Sequence, residues 1–516
     1  MKSFRWFAAL LLGCALAAVS SAVADVSLPA VIGDHMVLQQ EAAAVPIWGT
    51  ADPGERVTVT LGKQQVSAVA DGEGKWQVTL KSPKTGGPYD MTVAGKNTIA
   101  LKDILSGEVW VCSGQSNMAM SVRRSNNSEQ EIASADYPNI RLFTVKRTVA
   151  DQPLTDVTGK WAACDSQTVA NFSAVGYFFG RELQNALKIP IGLIHTSWGG
   201  TPAEAWTSRP TLEADADFQP ILDRWAKALE NYPKAKEAYD QKLAQWKEDA
   251  EKAKVEGQKP SRRPRAPRGP GHPHMPSGLY NGMIAPLVPY AIQGAIWYQG
   301  ESNAGRAHQY RTLFPTMITD WRRAWGQGDF SFLFVQLANF KKVQSEPGES
   351  DWAELREAQT MTLELPKTGM AVIIDIGEAD DIHPKNKQDV GRRLALAARS
   401  AAYGQKLTYS GPMYKSMAVE GNKVRLSFDQ IGGGLVARGD EGLKGFAVAG
   451  ADSQFVWAEA KIDGKSVVVW SDRVARPVAV RYAWADNPVC NLYNKEELPA
   501  SPFRTDDWPG VTFGKR

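Results

Sequence analysis

The sequence predicts an α/β protein in which a parallel-sheet domain is flanked by all-β regions. Three observations lead there. Short β-like runs alternate over residues 26–104, apolar strands alternate with helical patterns from 105 to 405, and β-like alternation returns over 406–516. At 516 residues the chain is too long for one ordinary core, so two or three domains are expected. Charged residues at 22% and hydrophobic ones at 43% are an ordinary globular mix. A net charge of +3 is too small at this length to argue for nucleic acid as a partner. The 17 tryptophans read first as core packing and second as faces on which sugar rings stack.

In chain order, residues 1–24 read as a signal peptide. Lys2 and Arg5 precede an apolar stretch, and Ala22-Val23-Ala24 supplies small residues for cleavage. The expected location is therefore periplasmic or secreted, with lipoprotein processing at Cys14 as the minor alternative. No segment is long and apolar enough to predict a membrane span. The runs "VPIWGT", "ERVTVTLG" and "GKWQVTLK", separated by turns such as Asp52-Pro53-Gly54, predict an N-terminal β-sandwich over 26–104.

Residues 105–405 carry strand candidates "VWVCS", "IPIGLIHTS" (189–197), "AIQGAIWYQ" (291–299), "FLFVQLAN" (332–339) and "MAVIIDIG" (370–377). Helical stripes lie between them, as in "VGYFFGRELQNAL" and "QDVGRRLALAARSAA". Such alternation predicts a parallel sheet covered on both faces, with ligands beyond the carboxyl ends of its strands. An insert at 212–276 interrupts the pattern. Leu222, Trp225, Leu229, Tyr232, Tyr239, Leu243 and Trp246 recur at helical spacing around Pro233, which predicts a helical hairpin packed on the main body. "KPSRRPRAPRGPGHPHMP" (259–276) reads as a solvated loop, with an anionic contact as its rival reading. Over 406–516, a second sandwich and strands completing the first fit equally well.

Four of the five strand exits carry groups suited to acyl transfer. The first delivers Ser116 within "SGQSN", the second Gly199-Gly200, the third Gln299, Glu301 and Asn303, and the last Asp380 and His383. A serine hydroxyl needs a base to become a nucleophile. Of the six histidines, only His383 follows a strand exit with a carboxylate three residues earlier. Asp380 then orients the imidazole and stabilises its cation, in the order Ser…Asp…His. Backbone N–H groups of Ser116 and of Gly199 or Gly200, with a side-chain amide from Gln299 or Asn303, supply the oxyanion donors. Gln115, Asn117, Trp198 and Glu301 are the expected substrate contacts. A divalent metal is the rival reading of Asp380, Asp381 and His383. No second histidine–carboxylate cluster stands at another exit, so no metal or cofactor is expected. Of the cysteines beyond the signal, Cys112, Cys164 and Cys490, the odd count leaves at least one without an intramolecular partner.

These motifs resemble a known family. "GQSNM" (114–118), "WYQGESNA" (297–304) and "DDIHPKNK" (380–387), with "FSAVGYFFGREL", "GLIHTSWGGTPAEAW" and "LPASPFRTDDW" between and after them, are similar to the sialate O-acetylesterase family of the SGNH hydrolase superfamily. The resemblance implies an SGNH-type three-layer α/β/α esterase domain, Ser116 as nucleophile and Asp380–His383 as its acid–base pair. It implies an O-acetylated saccharide substrate of the sialic acid type, with plant hemicelluloses such as xylan or xyloglucan as the alternative. A non-catalytic glycan-binding protein and a lipid or thioester hydrolase are the rivals from other classes. Oligomeric state is not readable from the sequence.

Overall fold

The structure, a computed structural model, describes residues 25–516. The signal peptide expected over 1–24, with Cys14, lies outside the described residues. Six strands come first: β1 (Val37–Gln39), β2 (Val45–Thr50), β3 (Arg56–Leu61), β4 (Gln64–Val69), β5 (Lys75–Leu80) and β6 (Gly86–Ala94). On β5, Trp76, Val78 and Leu80 are buried while Lys75, Gln77 and Thr79 are exposed, the two-residue period of a strand with one wet face.

Seven strands follow: β7 (Thr98–Gly114), β8 (Asp136–Thr144), β9 (Trp161–Asp165), β10 (Ile191–Ser197), β11 (Gly294–Tyr298), β12 (Ser331–Val335) and β13 (Thr368–Ala371). Their order is β13-β12-β11-β7-β10-β8-β9, parallel apart from the β8–β9 edge pair. β7 pairs with β6 through its first part and with β10 and β11 through its second. The boundary expected between 104 and 105 therefore falls inside one continuous strand. Every residue from Ile104 to Gly114 is buried, polar Ser106 and Glu108 included, so no exposed break marks a junction there.

Alternate side chains of β7 feed two cores. Val109 and Val111 pack with helices Ala307–Trp325 and Asp351–Met361; Trp110 and Cys112 pack with Ala174–Leu187 and Lys387–Ala401. The result is a mixed sheet between helical layers. Two expectations need correcting. β8 and β9 escape the sequence reading because β8 buries only Ile140–Phe143 and β9 is a short edge strand. β13 stops at Ala371 rather than running to Gly377, because its partner β12 ends in register with it at Val335.

Between Met413 and Arg504 the chain forms separate small sheets around a core that includes Val424, Leu426, Val467 and Val469. Among the described residues none of these strands pairs with the N-terminal ones. Fully buried Arg356 ties this region to the central sheet, donating to the carbonyls of Leu337 and Ala338 on one side and of Ala485 and Asp486 on the other.

The insert is not a hairpin. A single helix, Gln219–Val255, runs through Pro233 for 37 residues and buries only Ile221 and Leu222. Pro233 and Leu229, whose carbonyl the proline leaves unbonded, are both exposed, so that carbonyl is open to solvent. The aromatic stripe is covered instead by the proline-rich segment folding back. Trp246 Nε1 donates to the Ser261 carbonyl at 2.9 Å, and Gly269 lies so close to the Tyr232 ring that an added Cβ would meet it at 2.0 Å.

Candidate active site

Strand register assembles the site. Gly114 is level with Ser197 of β10 and with Tyr298 of β11, so the three chains leave the sheet at one height. β7 also has the later strands β10 and β11 on its two sides, the reversal of strand order at which open α/β sheets form a crevice. Gly114 is required here. Its φ is +134°, and a Cβ would lie 2.2 Å from the Tyr298 carbonyl oxygen. The chain then turns into the short helix Ser116–Ala119, which Ser116 opens half-buried.

Asn117 ties this turn to two distant loops. Its Nδ2 donates to Glu301 Oε1 at 2.7 Å and to the Ile382 carbonyl at 3.0 Å, while its Oδ1 accepts from Lys387 Nζ at 2.6 Å. The residue after Ser116 is thus bonded to the residue before His383. Burial holds Lys387 down at about 7. Burial also raises Glu301, whose Oε2 has no hydrogen-bond partner among the described residues.

The carboxylate at the histidine differs from the expected one. Asp381 Oδ1 lies 3.1 Å from His383 Nδ1 and accepts the His383 backbone N–H at 2.9 Å, whereas Asp380 is exposed. The cause is local: a carboxylate that accepts the N–H two residues on closes a tight turn, which brings the same oxygen to the ring. These bonds, the backbone one foremost, hold the Asp381 carboxyl below its usual range. Ser116 Oγ has no hydrogen-bond partner among the described residues; such contacts are often long or misaligned before substrate binds.

The oxyanion donors can now be sorted. A Cβ on Gly199 would meet Ser116 Cβ at 3.3 Å, so that backbone lies against the serine. Neither Ser116 N–H nor Gly199 N–H has an acceptor among the described residues. Gly200 N–H has no acceptor there either, but its backbone does not lie against the serine: a Cβ on Gly200 would meet nothing within 4 Å. Gln299 spends both amide N–H groups on the Thr201 carbonyl and Asn303 Oδ1, and its oxygen accepts from Tyr310. Among the described residues Asn303 Nδ2 is bonded only to Glu204 Oε2, which leaves it one N–H to offer. Of the expected substrate contacts, Gln115 and Asn117 are buried; Gln115 instead accepts the Ser302 N–H at 3.4 Å. Trp198 is half-buried beside Arg147, and Glu301 faces Asn117.

Sequence reasoning passed over Lys387, Glu204 and Arg306, whose roles depend on buried partners from other loops. The local signal for Lys387 and Glu204 is a charged residue inside a motif, and Arg306 lies just beyond one. It also passed over the hydrogen bond between His195 Nε2 and Ser197 Oγ, 2.6 Å long. That pair is buried within β10, and desolvation pushes His195 down to about 4, so its imidazole is neutral. Cys112, Cys164 and Cys490 are all free thiols. Among the described residues no three His, Cys, Asp or Glu side chains form a metal-holding group.

A sheet between helical layers, a serine at the exit of its central strand and a carboxylate-bound histidine on the loop after its edge strand define a layered α/β ester hydrolase. Comparison with known proteins narrows the class. A family model described as "Carbohydrate esterase, sialic acid-specific acetylesterase" matches residues 106–255 and 274–400. Sialate O-acetylesterase of Rattus norvegicus is 34% identical over 92% of this chain and 93% of its own length; that of Homo sapiens is 33% identical over 93% of each. The crystal structure of a carbohydrate acetylesterase from Xanthomonas citri, 39% identical, covers 94% of this chain and 100% of its own, with a TM-score of 0.79. The chain belongs to the sialic acid-specific acetylesterase family of carbohydrate esterases.

Proposed function

We propose that the chain removes acetyl groups from O-acetylated saccharides, those of the sialic acid type first, through an acetyl-Ser116 intermediate. Ser116 Oγ attacks the acetyl carbonyl while His383 Nε2 takes the hydroxyl proton. The bond between the carbonyl carbon and the sugar oxygen then breaks, and His383 returns the proton to that oxygen. Water attacks the acetyl-serine by the same route in reverse, releasing acetate. Asp381 holds the Nδ1 proton and stabilises the imidazolium. The N–H groups of Ser116 and Gly199 and the remaining Asn303 amide proton face the oxyanion. In this reading Ser116, Gly199, Asn303 and His383 are the four block residues of an SGNH hydrolase.

One observation carries the proposal: the hydrogen bond from Asn117 to Ile382, which joins the serine turn to the histidine loop across 265 positions of chain. The leader at 1–24 supports export to the periplasm or medium. Among the described residues no helix is long and apolar enough to cross a membrane. Acetate release across acetylated sialic acids, xylan and xyloglucan, by wild type and Ser116→Ala, tests the reading. Equal rates for the two proteins would remove Ser116 from the mechanism.

A further inference from the structure

The insert returns a cluster of guanidinium groups to the rim of this site. Arg224 from the long helix, Arg268 from the proline-rich segment and Arg306 from the turn after "QGESN" line one small pocket of about 60 Å³ with Glu204, His274 and Ser302. Arg268 lies between the two stretches that the family model matches. The pocket adjoins the chemistry. Ser302 sits between Glu301 and Asn303, and the His274 ring meets the backbone of Gly200, next to the glycine that touches Ser116.

Guanidinium groups outnumber carboxylates in its lining by three to one, and Arg224 Nη1 also donates to the main-chain oxygen of Arg516, the last residue. Glu204, the one carboxylate lining it, is already occupied: Oε1 accepts from Arg306 Nη2 at 2.6 Å and Oε2 from Asn303 Nδ2 at 2.9 Å. Burial and Arg268 pull the His274 pKa down, so it adds no charge near neutrality. Among the described residues two donors are buried without an acceptor, Arg224 Nη2 and Arg306 Nε. Burial and the charges of Arg306 and Arg268 lower the Arg224 pKa, the mark of crowded cations. Desolvated charged donors left unmet are costly unless a ligand meets them, and a guanidinium fork matches a carboxylate in shape.

We propose that this pocket is a subsite for a carboxylate carried by the acetylated saccharide, so that the chain selects acidic sugars over neutral ones. The subsite rests on the esterase reading above. Sialic and uronic acids share the carboxylate, and the assay separates them. Acetate release is measured on an O-acetylated sialic acid, an acetylated oligosaccharide bearing a uronic acid, and the carboxamide of each. Wild type should favour one free acid over its carboxamide by about tenfold or more in kcat/KM, less at high salt. That acid names the natural class. Arg268→Gln should collapse the ratio through KM, and Arg268→Lys should restore part of it. Arg268 is exposed, so the variants keep the fold. Equal kcat/KM for acid and carboxamide in wild type would overturn the subsite, as would a ratio that survives both Arg268→Gln and Arg224→Gln. If wild type hydrolyses neither p-nitrophenyl acetate nor any of these sugars, the esterase reading itself fails and the subsite falls with it.

Discussion

The floor beneath Ser116 and the arm beside it are built in opposite ways. In the floor, Gln115, Asn117, Gln299 and Asn303 are each at most 3% exposed, and their amides bond to one another or to the loops above. In the arm, the helix Gln219–Val255 buries two residues, and its proline-rich cover is mostly exposed. A paired polar network in a dry setting is rigid and intolerant of loss, whereas a segment with few buried contacts opens cheaply. Reaction geometry therefore belongs to the floor, and selection among substrates is left to the arm.

Substitutions test this contrast, beginning with the largest effect. Ser116→Ala should lower kcat on p-nitrophenyl acetate by about 10⁴-fold or more, without loss of thermal stability. Asp381→Asn should cost about 10²- to 10⁴-fold in kcat, and Asp380→Asn less than about threefold. The reverse ranking would return the orienting role to Asp380. Lys387→Met strips the Asn117 oxygen of its 2.6 Å donor and should lower kcat about ten- to hundredfold. A pH signature accompanies it. Folding holds Lys387 at about 7 against the usual 10.5, so between those values the unfolded chain keeps a proton that the folded one has lost. On this account stability rises from pH 7 toward 10, and the cost of burying the charge is full below 7. The Tm gain between pH 7 and 9 should shrink by at least about 2 °C in Lys387→Met, and an unchanged gain would place the titration elsewhere. Trp246→Ala, which removes the arm's bond to Ser261, should move Tm by less than about 2 °C and leave p-nitrophenyl acetate turnover unaltered. A larger fall would make the arm part of the cooperative core.

Much of this molecule is legible without coordinates, for definable reasons. β7, β10 and β11 are apolar runs ending in glycine or small polar residues, so their exits could be read directly. β13 was overextended because Val372–Ile374 are as apolar as a strand and are buried without belonging to one. The hairpin expectation failed because helical spacing reports a face to be covered and is silent about what covers it. Here the cover is irregular chain. Gln299 and Asn303 were interchangeable in sequence; only the positions of Thr201, Tyr310 and Glu204 distinguish them.

The residue string alone determined which strand ends carry chemistry, and that Ser116 and His383 are the groups to examine, since turn chemistry and strand period act over a few neighbours. Tertiary structure decided which carboxylate reaches the imidazole, which amide keeps a free N–H, and what the insert packs against. Those outcomes depend on hydrogen-bond partners and burial contributed by loops far apart in the chain, as the bond between Asn117 and Ile382 illustrates.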